Sequence, residues 1–100
     1  DEVDAGVGGA EAAALGTKLQ RLATDGQILA VTHLPQVASS GDCHFRVSKH
    51  TVGGRTRVAI EPLADEARAE EIARMLAGAE VTPLSLSHAR EILRGAARPR

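Results

Sequence analysis

Three carboxylates and a run of glycines open the chain: Asp1-Glu2-Val3-Asp4-Ala5-Gly6-Val7-Gly8-Gly9. Like charges this close disfavour one another unless a metal ion or a hydrogen-bond donor lies between them. If Asp1-Glu2 ends a buried strand, the two side chains point to opposite sides. One carboxylate can then address a metal and the other a water, the division of labour that Mg2+-assisted phosphoryl transfer needs. A solvated acidic segment leading into a helix is the other reading of the same residues. The second chemical group is His33, which directly follows the apolar run Ile28-Leu29-Ala30-Val31-Thr32. Read as a buried parallel strand, that run ends at the sheet edge where open α/β folds bind ligands, and Asp1 and Glu2 would end on the same edge. One pocket could hold all three.

The other constellations are weaker. His33, His44, His50 and the acids do not have metal-ligand spacing: no two histidines fall at i, i+4 on a helix, and a single cysteine cannot build a zinc cage. His44 and His50 are expected on the outer, solvated face of a hairpin. Cys43 and His44 are adjacent in a strand and point apart, so they cannot form a nucleophile–base pair; Cys43 is expected as a small core residue. Gly6, Gly8 and Gly9 lack the Lys-Ser/Thr continuation of a phosphate loop, which occurs nowhere in the chain.

The elements that must position these groups follow from periodicity. Residues 10–23 read as a helix rich in alanine, with Leu15, Leu19 and Leu22 on one stripe and Lys18 and Arg21 on the other side. Gly16 inside it either weakens the helix slightly or marks a close approach by a neighbour, and Gly26 suits a left-handed cap. A preceding strand, this helix and strand 28–32 would form a right-handed βαβ unit. Pro35 opens a short helix over 34–38. Residues 43–51 and 55–61 flank Gly53-Gly54, a two-residue hairpin signal that fixes the register. Val52 then faces Arg55, Val47 faces Ile60, Phe45 faces Pro62 and Arg46 faces Glu61. Phe45, Val47, Val58 and Ile60 share one face, and Pro62 is expected to end the pairing. Residues 65–77 form a helix with an Ile72, Ala73, Leu76 face and Gly78 as its C-cap. Thr82 caps a last helix that starts at Pro83, has a Leu84, Ile92, Leu93 stripe and ends at Gly95. Residues 96–100 read as a basic tail.

Composition bounds the rest. One hundred residues make at most one small domain, and 43% hydrophobic with 25% charged residues suits a packed fold. Phe45 is the one aromatic residue, which removes base stacking as a way to hold single strands. A net charge of −1 gives no basic footprint of the kind expected for a DNA-binding domain. A lone cysteine suits a reducing compartment. No apolar run reaches the length of a membrane span. The chain starts at Asp1 with neither Met nor the apolar strand that Asp1-Glu2 would terminate, so it is expected to be the C-terminal part of something longer.

Asp-Glu-Val-Asp-Ala-Gly-Val-Gly-Gly, followed by a helix, a strand and Val31-Thr32-His33-Leu34-Pro35-Gln36-Val37-Ala38, resembles the C-terminal end of the RecN family of bacterial DNA repair proteins. These are relatives of the SMC proteins with an ABC-type ATPase head. The stretches Phe45-Arg46-Val47-Ser48-Lys49 and Glu71-Ile72-Ala73-Arg74-Met75-Leu76-Ala77-Gly78 are similar too, so the resemblance covers nearly the whole chain. It implies an α/β fold, the C-terminal lobe of a P-loop NTPase head over residues 1–95, with a parallel βαβ unit, a β-hairpin and C-terminal helices. It implies ATP and Mg2+ as cofactors. Asp1 would be the Walker B aspartate holding Mg2+, and Glu2 would orient and deprotonate the attacking water. Asp4, Gly6, Gly8 and Gly9 would lie in the D-loop, facing a second head in an ATP-sandwiched homodimer. His33 would be the switch histidine at the γ-phosphate. Gly8 stands where many ABC ATPases have an aspartate. The resemblance further implies DNA as a partner of the full-length protein and a cytoplasmic, nucleoid-associated, membrane-free location. Walker A loop, signature motif and coiled-coil arms belong upstream in that family, so this segment alone is expected to be inactive. Two alternatives remain from the residues: a non-catalytic interaction module using its hairpin edge or last helix, and, with less support, a stand-alone Mg2+-dependent phosphotransfer domain.

Overall fold

The computed structural model describes residues 9–78 and 80–96. Six elements follow in order: α1 (Gly9–Ala23), α2 (Pro35–Ala38), β1 (His44–Val52), β2 (Arg55–Leu63), α3 (Asp65–Ala77) and α4 (Pro83–Ala96). The result is a mixed helix–strand fold in which α1 packs on α2, α2 on α3 and α3 on α4, with the hairpin joined to α3 through the Arg46–Glu71 pair.

Each helix boundary has a local cause. α1 tightens at its end through hydrogen bonds to the third residue back, Thr24 to Arg21 and Gly26 to Ala23, and Thr24 Oγ1 closes on Arg21 O at 2.7 Å. Tightening in this way needs no left-handed residue. Gly26 is accordingly absent from the positive-φ glycines, contrary to the expected cap. α3 ends as anticipated on Gly78, at φ +82 with its N–H on Arg74 O at 2.8 Å. α4 is capped reciprocally: Thr82 Oγ1 accepts from Ser85 N at 3.1 Å, while Thr82 N donates to Ser85 Oγ at 2.9 Å. Serine thus fills the role that glutamate usually takes in a capping box. Gly95 does not stop α4, which runs to Ala96.

The core is small and lies between α3 and α4. Ile72, Ala73 and Ala89 are sealed from solvent, with Ala38, Met75, Leu76, Leu86 and Leu93 packed around them. The stripe of α4 is therefore Leu86, Ala89 and Leu93. At 100° per residue Leu84 falls on the opposite side of the helix, and it is 80% exposed. On α1 the most deeply buried positions are Ala12 and Gly16. Leu15 and Leu19 are half-buried and Leu22 lies open, because the four-residue α2 covers only a narrow line of the longer helix. A Cβ on Gly16 would meet Ser40 Cβ at 3.0 Å and Gln36 O at 3.1 Å, so this glycine does mark a close approach.

The hairpin has the anticipated register from Val52↔Arg55 to Phe45↔Pro62. Gly53 and Gly54 both adopt positive φ, as a type I′ turn requires. Pairing continues one step further, to His44↔Leu63. Counting from the two-residue turn, Phe45↔Pro62 is a non-hydrogen-bonded pair, so the missing proline N–H breaks no ladder bond. The orientation of the ribbon is the surprise. Its apolar face, Phe45, Val47, Val58 and Ile60, is open to solvent, between 51% and 66% exposed. The side carrying His44, Arg46 and Ser48 is the half-buried one, and Arg46 reaches from it to Glu71 of α3 at 3.7 Å.

Candidate functional site

Asp1, Glu2, Asp4, Gly6 and Gly8 lie outside the described residues. Gly9 is the first residue of α1, and a Cβ placed on it would lie 3.7 Å from Gln36 Nε2. The start of α1 therefore adjoins the first turn of α2, which His33 precedes. His33 sits at the centre of a local turn in which Leu34 N donates to Thr32 Oγ1 at 3.0 Å. Thr32 is half-buried and His33 exposed. The threonine thus fixes the backbone on either side of an imidazole that faces solvent. Pro35 and Val37 are buried, so the anchor just after His33 is firm.

The expected strand over 28–32 is not formed among the described residues, whose single sheet is the two-stranded hairpin. Leu29 is 89% and Val31 69% exposed. A parallel strand needs at least one hydrogen-bonded neighbour, and no described segment supplies one. The βαβ unit is thus not assembled within these residues, and residues 28–34 run as a connection from α1 to α2.

What holds this connection in place could not be read from spacing. Gln20 of α1 donates through Nε2 to Ser40 O at 2.9 Å and Ala96 O at 2.7 Å, tying α1, the end of α2 and the end of α4 together. Arg68 of α3 donates from Nη2 to Ala38 O at 3.1 Å, Ser39 O at 3.2 Å and Gly41 O at 2.7 Å. A guanidinium placed there satisfies carbonyls that a helix C-terminus leaves orphaned. Burial lowers the Arg68 pKa, and nearby Cys43 and Asp42 work in the opposite direction. Nothing in the pattern Asp65-Glu66-Ala67-Arg68 distinguishes this arginine from Arg74 on the same helix or from the exposed Arg90 and Arg94 on α4.

Two expectations at the root of the hairpin are corrected. His44 is not a solvated outer-face histidine: it is half-buried, and its Nδ1 has no hydrogen-bond partner among the described residues. Burial, followed by the Arg68 charge, lowers its pKa, while Glu71 acts to raise it. The register was right, but the apolar face that should have turned inward turns out, because Arg46 pairs with both Glu61 and Glu71 and draws its own face toward α3. Cys43 is exposed rather than a core residue, since it lies in the bend at 41–43 before the strand begins. His50 is solvated as expected. Among the described residues no three His, Cys, Asp or Glu side chains converge on a metal position, and no helix is long and apolar enough to cross a membrane.

No family model matches the chain. Individual relatives do. It is 47% identical over 93 residues to the DNA repair protein RecN of Halalkalibacterium halodurans, which covers 93% of this chain and 16% of that protein. It is 48% identical over 95 residues to RecN of Deinococcus radiodurans, 95% of this chain and 17% of the relative. With RecN of Xylella fastidiosa it shares 54% identity over 82 residues, 82% of this chain and 15% of the other. The chain spans about a sixth of the length of the relatives it matches.

Proposed function

Because the chain belongs with the bacterial RecN DNA repair proteins, to which it is 41–54% identical, we propose that it is the C-terminal lobe of a RecN-type ATPase head acting in double-strand break repair and recombination. The observation that carries this reading is the state of its apolar surfaces. Leu29 and Val31 before His33, and Phe45, Val47, Val58 and Ile60 on the hairpin, are open to solvent. A lone small domain rarely leaves two such patches uncovered. A segment amounting to about a sixth of a longer relative would cover them with the remainder of the head, where 28–32 can pair as a strand.

In this reading Asp1, Glu2 and His33 form the hydrolytic group. The donor set suits a Mg2+–triphosphate: hard carboxylate oxygens for the cation and an imidazole N–H for a phosphate oxygen. Bound Mg2+ would neutralise the charge that builds on the transferred phosphoryl group. Asp1 would hold the cation. Glu2 would orient the attacking water and take its proton, a task for which a carboxylate need only be placed within hydrogen-bond reach. His33, kept facing outward by the Thr32–Leu34 turn, would donate to the terminal phosphate. Asp4, Gly6, Gly8 and Gly9 would face the second head of a homodimer. The phosphate-binding loop would come from upstream, so the segment alone would not hydrolyse ATP, and the full protein would work in the cytoplasm on nucleoid DNA.

The test is ATP turnover by the full-length protein. Glu2→Gln and His33→Ala should each lower kcat by about two orders of magnitude or more, the scale of a positioned acid–base group. Unchanged turnover in Glu2→Gln would refute the reading, as would Mg2+-dependent turnover by residues 1–100 alone. In a non-catalytic interaction module, the alternative, substituting Asp1, Glu2 or His33 would leave repair intact.

A further inference from the structure

The net charge of −1 conceals a sharp segregation. Residues 49–58, the distal half of the hairpin, contain Lys49, His50, Arg55 and Arg57 and not one acidic residue. The rest of the chain is correspondingly acidic. All ten of these residues are exposed. Several arginines elsewhere are engaged, Arg46 with Glu61, Arg90 with Glu66, and Arg68 with three backbone carbonyls, while the exposed Lys18, Arg21 and Arg94 are spread along α1 and α4 rather than gathered in one cluster. Among the described residues, Lys49, Arg55 and Arg57 have no carboxylate partner within ion-pair distance.

The register makes this a patterned surface. His50 pairs with Arg57 and Val52 with Arg55, so His50, Arg55 and Arg57 share one face, opposite the apolar one. Two residues along a strand place the two guanidinium stems about 7 Å apart on that face. At the tip, Gly53 and Gly54 leave open space where side chains would stand, so a bulky partner can approach the backbone. Lys49 extends from the other face.

We propose that the distal half of the β1–β2 hairpin is a duplex-DNA contact in which Lys49, Arg55 and Arg57 meet backbone phosphates. This rests on the reading of the chain as part of a DNA repair protein. A two-stranded ribbon is narrow enough to enter a major groove, and arginines and lysines without base-reading partners bind phosphates independently of sequence. Duplex is favoured over single strand because the distal half offers no aromatic ring for stacking. The single aromatic, Phe45, lies at the root of the ribbon on the opposite face.

The test is the salt dependence of duplex binding by the full-length protein, followed by fluorescence anisotropy. Each phosphate-neutralising cation contributes about 0.9 to the slope of log affinity against log salt. The Lys49→Gln/Arg55→Gln/Arg57→Gln variant should therefore lose about 2.7 of slope, so that its affinity falls about 40-fold less than the parent's between 50 and 200 mM salt. Arg55→Glu/Arg57→Glu should weaken binding further. The exposed α1 cations provide the control, and Lys18→Gln/Arg21→Gln should bind like the parent. An unchanged slope in the hairpin variant overturns the proposal, as does an equal loss in the α1 variant. Hairpin-dependent binding of a single strand in preference to duplex overturns it too. Basal ATP turnover without DNA separates the two readings. If Glu2→Gln abolishes turnover while the hairpin variants bind normally, only the DNA contact fails. If the hairpin variants lose DNA but Glu2→Gln turns over normally, only the ATPase reading fails.

Discussion

Gly16→Ala is expected to destabilise the protein even though it improves an isolated helix. Replacing a mid-helix glycine with alanine gains about 1 kcal/mol of propensity. Here the new methyl would sit 3.0 Å from Ser40 Cβ and 3.1 Å from Gln36 O, and would overlap Ser40 Oγ outright. Ser40 Oγ also donates to Gln36 O at 2.9 Å, so the hydroxyl cannot swing away without breaking that bond, worth about 1 kcal/mol. Backing α1 off from α2 is an overpacking event of about 1–3 kcal/mol. It also lengthens the Gln20 bond to Ser40 O. The net expectation is a loss of about 1–3 kcal/mol, read from urea unfolding followed by circular dichroism. Ser40→Gly removes the two nearest obstructing atoms, so in that background the same Gly16→Ala change should cost less by at least about 1 kcal/mol, a coupling a double-mutant cycle isolates. A Gly16→Ala variant more stable than the parent would refute the reasoning, because propensity would then outweigh contact.

Other consequences are equally direct. Arg68→Ala should cost about 2 kcal/mol by removing the guanidinium from the carbonyls of Ser39 and Gly41 and leaving Ala38 O only its long bond from Gly41 N, whereas Arg90→Ala, which breaks only an exposed pair with Glu66, should cost less than about 1 kcal/mol; chemical denaturation compares the two. His44 stays neutral in the fold at pH values where the unfolded chain takes up a proton, so its contribution is complete above pH 6.5 and is lost as pH falls below it. The urea midpoint of the parent should therefore drop between about pH 7.5 and 5.5 more than that of His44→Gln, and equal drops would show that His44 does not titrate in this way. Ile72→Val should cost about 0.5–1.5 kcal/mol and Ile72→Ala about 2–5 kcal/mol, because Ile72 is the one large side chain that is fully sealed among the described residues; thermal melts check the order.

Local signals in the sequence determined much of this protein. Alanine density and leucine spacing marked α1. Thr82-Pro83 and Gly78 set helix ends. Gly53-Gly54 fixed every pair of the hairpin, because a two-residue turn with positive φ permits only one register. These are interactions between residues close in the chain, so composition and spacing suffice to reveal them. The Asp-Glu-Val-Asp and Thr-His-Leu-Pro-Gln-Val-Ala stretches likewise led to the RecN relatives. What spacing could not decide was which way each element faces and what covers it. Strand 28–32 had the right composition, but a strand exists only where neighbours complete its hydrogen bonds, and among the described residues none do. The hairpin turned its polar side inward because Arg46 and Glu71, 25 positions apart, meet across α3. Arg68 and Gln20 became the ties between helices only because distant carbonyls arrive within 3.2 Å of them. Even the basic ribbon is invisible in the net charge, since the charge balance of the chain carries no record of where on the surface each sign is placed. Long-range contact and exposure are properties of the folded arrangement, and only the tertiary structure decided them.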